Sequence, residues 1–348
     1  MIDLSHVPYF IFGCGGRPKY LCLPGGLWAV TLGRFIIEFA PGSLRIDAPA
    51  YTVTAADASG TEVRIFEDED GLWLDCDRGK EPLSVSPVNL PALEGHRHRD
   101  LLRVLHHEIL TNIDDGLPLP NFLVYRKPWY RDAAMVAMVL EITGNVNLLR
   151  DWILSLRDPY DRNNGGHEEP DNLGQALYLV SLVGAHGGGA SHPIVEPVLA
   201  AAARITADGH LHGITDGREH PVYQTKWLKF GLQRLGLPDP YRVPQVEDGY
   251  GPLFWWDRQD IVVPAGKRYH ARAENYPYLT WAEAHFHSDP APMHYTADGY
   301  PITWEACASQ ADYEGMRPVD PSFVARRMSM PHTWHAAEMF LYLWEESR

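Results

Sequence analysis

The sequence predicts a mainly α chain: a toroid of helical hairpins, complete or short of a full ring, behind a small N-terminal antiparallel β region. Residues 1–95 are short apolar or alternating runs broken by turn residues. Beyond about residue 97 the hydrophobic period changes to that of helices. Largely apolar helices then begin near 132, 170, 222, 277 and 331, a step of roughly fifty residues. The expected division is therefore a β domain over 1–95 and a helical catalytic domain over 96–348.

In the first part, PYFIFG, KYLCL, LWAVTLG, RFIIEFA, SLRIDA, YTVTAA, EVRIFE and LWLDC read as strands. Pro24-Gly25-Gly26, Pro41-Gly42, Ser59-Gly60 and Asp70-Gly71 are turn signals between them. Gly13-Cys14-Gly15-Gly16 is read as a turn, because no helix with Gly-Lys-Ser/Thr follows it. The Pro-rich run Pro82 to Pro91 reads as a connection out of the sheet region.

In the second part, Leu101 to Leu110 fit a first helix ending near Asn112. A Pro-rich loop leads to Trp129-Tyr130-Arg131-Asp132, and Ala133 to Leu140 then carry no charge, which marks a helix buried on all sides. Thr143-Gly144-Asn145 ends it, and NLLRDWILSLR reads as its half-exposed partner. The pattern recurs through Pro170, at the start of DNLGQALYLVSLVGA, through VYQTKWLKFGLQRLGL and YPYLTWAEAHFH, to HTWHAAEMFLYLWEE. Parallel inner helices would gather their preceding loops at one mouth. An open helical solenoid is the rival arrangement.

With 45% apolar and 22% charged residues among 348, the composition is that of an ordinary globular protein. A formal net charge of -15 opposes nucleic acid or an anionic membrane as partner and favours a neutral small molecule. No signal peptide or spanning segment is recognised, so a cytoplasmic protein is expected. Cys14, Cys22, Cys76 and Cys307 are scattered and read as reduced thiols. The sequence is compatible with a homo-oligomer.

The mouth loops hold the chemistry. Trp129, Tyr130, Arg131 and Asp132 combine flat rings, a cation and a carboxylate, which are sugar-binding residue types; the competing reading is a helix-start salt bridge. Glu168 and Glu169, beside Gly165-Gly166-His167, are the candidates for a catalytic acid, with Asn164 nearby. Glycosidic cleavage needs one carboxylic acid for the leaving oxygen and one carboxylate to activate water or attack carbon. For the second carboxylate Glu338 ranks first and Glu283 second, ahead of Glu274 and Glu305, since a carboxylate deep in an apolar helix must be paired or face a cavity. Tyr223, Tyr278, Trp281, His332 and Trp334 complete the expected sugar-binding set. His332 and His335 can share a helical face, whereas His285 and His287 cannot, and without a third ligand at a recognisable spacing neither metal nor cofactor is expected.

These motifs resemble the six-hairpin glycosidase superfamily, the (α/α)6 toroids that include glucoamylase-like enzymes. Trp129-Tyr130-Arg131-Asp132-Ala133-Ala134 is similar to that family's W-x-R-D-(A/S) sugar-holding pattern. His167-Glu168-Glu169 is similar to its W-E-E acid segment, with His167 in place of tryptophan, and Trp334-His335-Ala336-Ala337-Glu338 to its final-helix pattern near the base. The resemblance covers about residues 97–348 and implies a glycoside hydrolase acting on a small oligosaccharide, with Arg131 and Asp132 clamping hydroxyls. A uronate lyase or sugar epimerase using histidine, tyrosine and asparagine is the alternative, and a non-catalytic carbohydrate-binding protein is a second.

Overall fold

In a computed structural model, residues 8–246, 248, 250 and 300–346 are described. The alternating runs form two antiparallel meanders. Strands β1 (Phe10–Phe12), β2 (Tyr20–Leu23), β3 (Gly26–Ala29) and β4 (Arg34–Glu38) pair in sequence order. Strands β5 (Arg45–Asp47), β6 (Thr52–Ala56), β7 (Glu62–Glu67), β8 (Gly71–Cys76) and β9 (Gly79–Val85) form the second sheet. In β7 the alternation sends Val63, Ile65 and Glu67 inward and leaves Glu62 and Arg64 exposed. Val53 and Ala55 of β6 lie opposite Ile65 and Val63, so the two strands present one apolar face. The turn from β2 to β3 requires Gly26: its φ is 147°, and a Cβ there would lie 2.1 Å from the Ile37 carbonyl oxygen. The stretch from Pro82, expected as a connection, contributes to β9. That strand is the sheet's edge, where Pro82 has no ladder N–H to lose.

The helices are α1 (Arg99–Leu110), α2 (Tyr130–Thr143), α3 (Arg150–Ser155), α4 (Asp171–Ser181), α5 (Val195–Ile205), α6 (Pro221–Leu235), α7 (Pro321–Arg326) and α8 (Thr333–Glu346). Helix α2 ends on Gly144 at φ 73°, whose N–H caps the Leu140 carbonyl. Helix α8 packs on α1 and α2, α2 on α4, and α4 on both α5 and α6. The α4–α6 contact is backbone on backbone: a Cβ on Gly174 would fall 2.1 Å from the Trp227 carbonyl carbon. Gly174→Ala should therefore lower stability by about 1–3 kcal/mol, read as a reduced denaturant midpoint with an unchanged slope.

The mainly α toroid is not what forms. The described residues are 36% helix and 21% strand, with eight α-helices and six small antiparallel sheets. Two physical causes stand out. The outer partner of α2 shortens to a 3₁₀ turn and the six-residue α3. Between the helices, two-residue Asp-Gly turns fold the chain into hairpins: Asp115-Gly116, Asp208-Gly209 and Asp216-Gly217 all have φ between 48° and 82°, as type I′ turns demand. A further two-stranded sheet joins Glu305–Ala306 to Met328–Ser329.

The β part and the helical part share their cores. Tyr9, Ile11, Leu21 and Leu23 pack in one cluster with Phe122, Trp304, Phe323 and Met330. A second link is polar and fully buried. Glu67 accepts from the Gly13 and Cys14 N–H groups and pairs with Arg17 at 3.1 Å and with His107 of α1 at 3.5 Å. Lys19 donates to the carbonyls of Gly13, Gly15 and Ile113, and Gly15 N–H to that of Leu110. Burial alone would raise the Glu67 carboxyl, but His107 and Arg17 hold it at about 2. No described helix is long and apolar enough to cross a membrane.

Candidate active site

The N-termini of α2 and α8 open on a common cavity of about 650 Å³. Its wall includes Tyr125, Trp129, Arg131 and Asp132 from the approach to α2, and Asn164, His167 and Glu169 from the loop before α4. Asp216 comes from a rim hairpin, Glu305 to Ser309 from a strand and its loop, and His332, Trp334 and His335 from the approach to α8. Two of these wall segments are joined by a Ser309 hydroxyl donating to Asn164 Oδ1 at 3.2 Å.

The α2 N-terminus is capped from outside. Trp129 offers no side-chain cap, and the Tyr130 N–H instead donates to Asp161 at 2.6 Å. Successive helical residues point about 100° apart, and Arg131 and Asp132 accordingly go to different partners. Arg131 reaches toward α4: its Nε donates to Asp171 at 2.8 Å and its Nη2 pairs with Glu169 at 3.1 Å. Asp171 also accepts from Gln175 and Thr215, and Glu169 from Asn164 at 3.1 Å and the Asp216 N–H at 2.6 Å. The guanidinium further lies over the rings of Tyr250 and Trp334, at 5.5 and 6.0 Å.

Asp132 turns the other way, toward His332. It is buried, and its Oδ1 has no hydrogen-bond partner among the described residues; His332 Nε2 lies 3.8 Å from it. The same imidazole nitrogen lies 2.8 Å from Glu305, which also accepts from the Tyr125 hydroxyl at 2.6 Å. Burial pushes the Asp132 carboxyl up to about 7; the nearby His332 charge only partly offsets this, and the Glu305 charge adds to it. Glu305 goes in the opposite direction. Burial alone would raise it, but His332, His335 and the Tyr125 hydroxyl bring it down to about 2. His332 is raised, since the Glu305 carboxylate outweighs the cost of burying an imidazolium. Two carboxyls whose surroundings drive them apart can serve as acid and as carboxylate at the same pH.

The expected site residues divide accordingly. Trp129, Arg131, Asp132, Asn164, His167, Glu169, His332 and Trp334 come together in the wall. Glu168 does not: it sits at the surface and pairs with Arg162 and Arg204 at 2.7 and 3.1 Å. Tyr130 donates its hydroxyl to the Asp158 carbonyl, and Tyr223 is buried against Tyr250 and Trp227. Glu338, ranked first as second carboxylate, lies buried in α8 and is not part of the described wall. Tyr278, Trp281 and Glu283 lie outside the described residues, as do Glu274, His285 and His287. Glu305, ranked below Glu338 and Glu283, is the carboxylate that shares His332 Nε2 with Asp132. Its signal was its place directly after Trp304 in a stretch without helical period.

Among the described residues, Cys14, Glu67 and His107 are the group with metal-ligand spacing. Their carboxylate is already taken by two N–H groups, a guanidinium and the Cys14 thiol. With Arg17 and Lys19 alongside, that donor set fits an ionic hub better than a cation site. Comparison of the chain with protein-family models, curated proteins and solved structures gave no match.

Proposed function

We propose that the cavity cleaves the glycosidic bond of a small, uncharged oligosaccharide or glycoside. Asp132 is the acid that protonates the leaving oxygen, and Glu305 is the carboxylate that assists water or the sugar carbon. The observation that carries this reading is the split pair: two carboxyls of the cavity wall that converge on one nitrogen, His332 Nε2, at 3.8 and 2.8 Å, with Asp132 raised to about 7 and Glu305 lowered to about 2. Trp129 and Trp334 supply apolar faces for sugar rings, and Asn164, His167 and Asp216 supply partners for hydroxyls. Arg131 already engages Glu169 and Asp171, so it is not waiting for a uronic carboxylate; this favours hydrolysis of a neutral substrate over β-elimination.

The assay is turnover on a panel of neutral oligosaccharides and uronides, following reducing ends and unsaturated-uronate absorbance together. Reducing ends without that absorbance are expected. Absorbance would make the enzyme a lyase, and binding without either product would make the protein a carbohydrate-binding one. Glu169→Gln separates the two candidate acids. Because Glu169 is occupied by Arg131, Asn164 and Asp216, the variant should keep activity within about tenfold while losing about 1.5–3 kcal/mol of stability from its charged hydrogen bonds. Loss of all turnover in that variant, with its fold intact, would return the acid role to Glu169.

A further inference from the structure

Glu305 and His332 belong to segments well separated in the chain, yet their side chains meet at 2.8 Å. A fully buried network behind them fixes that meeting. Glu108, on the inner face of α1, is completely buried, and a lone carboxyl there requires donors. Ile302 N–H and the Thr303 hydroxyl supply them, both at 2.5 Å. The same Thr303 oxygen accepts the His332 N–H at 3.1 Å and lies 3.2 Å from the His332 carbonyl oxygen. One hydroxyl, on the residue two before Glu305, thus joins α1 to the backbone of His332.

We infer that Thr303, anchored by Glu108, is a positioning residue that sets the His332 imidazole against the Glu305 carboxylate. This rests on the reading of that pair as part of the active site. Neither Thr303 nor Glu108 belongs to the cavity wall, so both act through the groups they hold. Independent braces limit the freedom of the same segment: Tyr9 donates to the Met330 carbonyl at 2.9 Å and Asn121 to that of Pro331 at 2.7 Å. Removing the hydroxyl therefore lets His332 and Glu305 drift apart without unfolding the loop. Small misplacements of this kind cost up to about 10²-fold in rate.

The test compares Thr303→Val and Thr303→Ser with the wild-type chain, using the His332 imidazole titration by NMR alongside kcat and KM. In the valine variant the His332 pKa should fall from its raised value, because the Glu305 carboxylate no longer offsets the cost of burying the imidazolium. On a turned-over glycoside, kcat should fall about 10–100-fold with KM within about threefold, and serine should restore both readouts. Thr303→Ala serves the same comparison should valine not fold. An unchanged His332 titration in a folded valine or alanine variant would overturn the positioning role whatever the turnover, as would a shifted titration with kcat unaltered. A shifted titration, restored by serine, in a chain whose wild type cleaves no glycoside would leave the positioning standing and remove the hydrolase reading.

Discussion

Asp132→Asn should abolish glycoside turnover, lowering kcat by about 10³-fold while leaving substrate affinity within a few-fold. An amide keeps the shape of the side chain and cannot give up a proton. The wild-type kcat/KM should fall as pH rises through about 7, where Asp132 loses its proton, and the residual activity of the variant should lack that limb. The same carboxyl has a stability signature. Its folded value lies above the unfolded value of about 3.9, so its contribution is fully present below pH ~4 and is given up as pH rises to about 7. Above pH 7 the asparagine variant should thus be the more stable protein, by on the order of 1–4 kcal/mol. Denaturation at pH 5 and pH 8 checks this: a variant that is less stable at both would contradict a buried acid at 132. Glu305 behaves oppositely. Its folded value near 2 means its contribution is present above about pH 4.3 and is lost as pH falls toward 2.

Arg131→Leu carries the largest expected stability loss, about 3–5 kcal/mol by equilibrium denaturation. The leucine would leave Glu169 and Asp171, both buried, without the cation that sits between them. The damage should be relieved in part by Arg131→Leu combined with Asp171→Asn, since the remaining pair then holds one buried charge rather than two. If the single variant melts like the wild type, the pairing contributes nothing and the clamp between α2 and α4 is misassigned. Lysine should rescue poorly, because one ammonium cannot reproduce a fork that reaches two carboxylates.

How far the sequence could be read depends on the range of the physics involved. Eight of the nine strands of the two meanders, β1 to β8, followed from local alternation, and Gly26 and Gly144 marked turns that only backbone permissiveness allows. The uncharged run after Asp132 announced α2 as a buried helix, and its N-terminus does carry ring, cation and carboxylate into a cavity. The toroid failed for a legible reason. Asp115-Gly116, Asp208-Gly209 and Asp216-Gly217 are strong hairpin signals, and the fifty-residue spacing of apolar helices carries no information about how the chain folds between them. The reading of Glu169 as the acid and the proposal of Asp132 part for a less local reason. Glu169 looked available because its donors, Arg131, Asn164 and the Asp216 N–H, arrive from three separate segments. Asp132 looked occupied because arginine precedes it, yet a step along a helix turns neighbours onto different faces. The pairing of Glu305 with His332 needed both the Glu305–Ser329 register and the Thr303 bridge, neither of which leaves a periodic trace.

The buried hub around Glu67 bears on modularity. The stretch from Leu93 to His98 is the half-exposed to exposed bridge between the strands and α1, and so offers a protease its cut. A nick there would sever the covalent link but not the one made by Glu67 with His107, by Lys19 with Ile113, or by Tyr9 with Met330. The two pieces should stay together through gel filtration under native conditions and part only in denaturant. Made separately, the C-terminal piece would expose the apolar face that Ile11, Leu21 and Leu23 cover, so it would behave as one half of a split protein awaiting its complement rather than as a minimal enzyme.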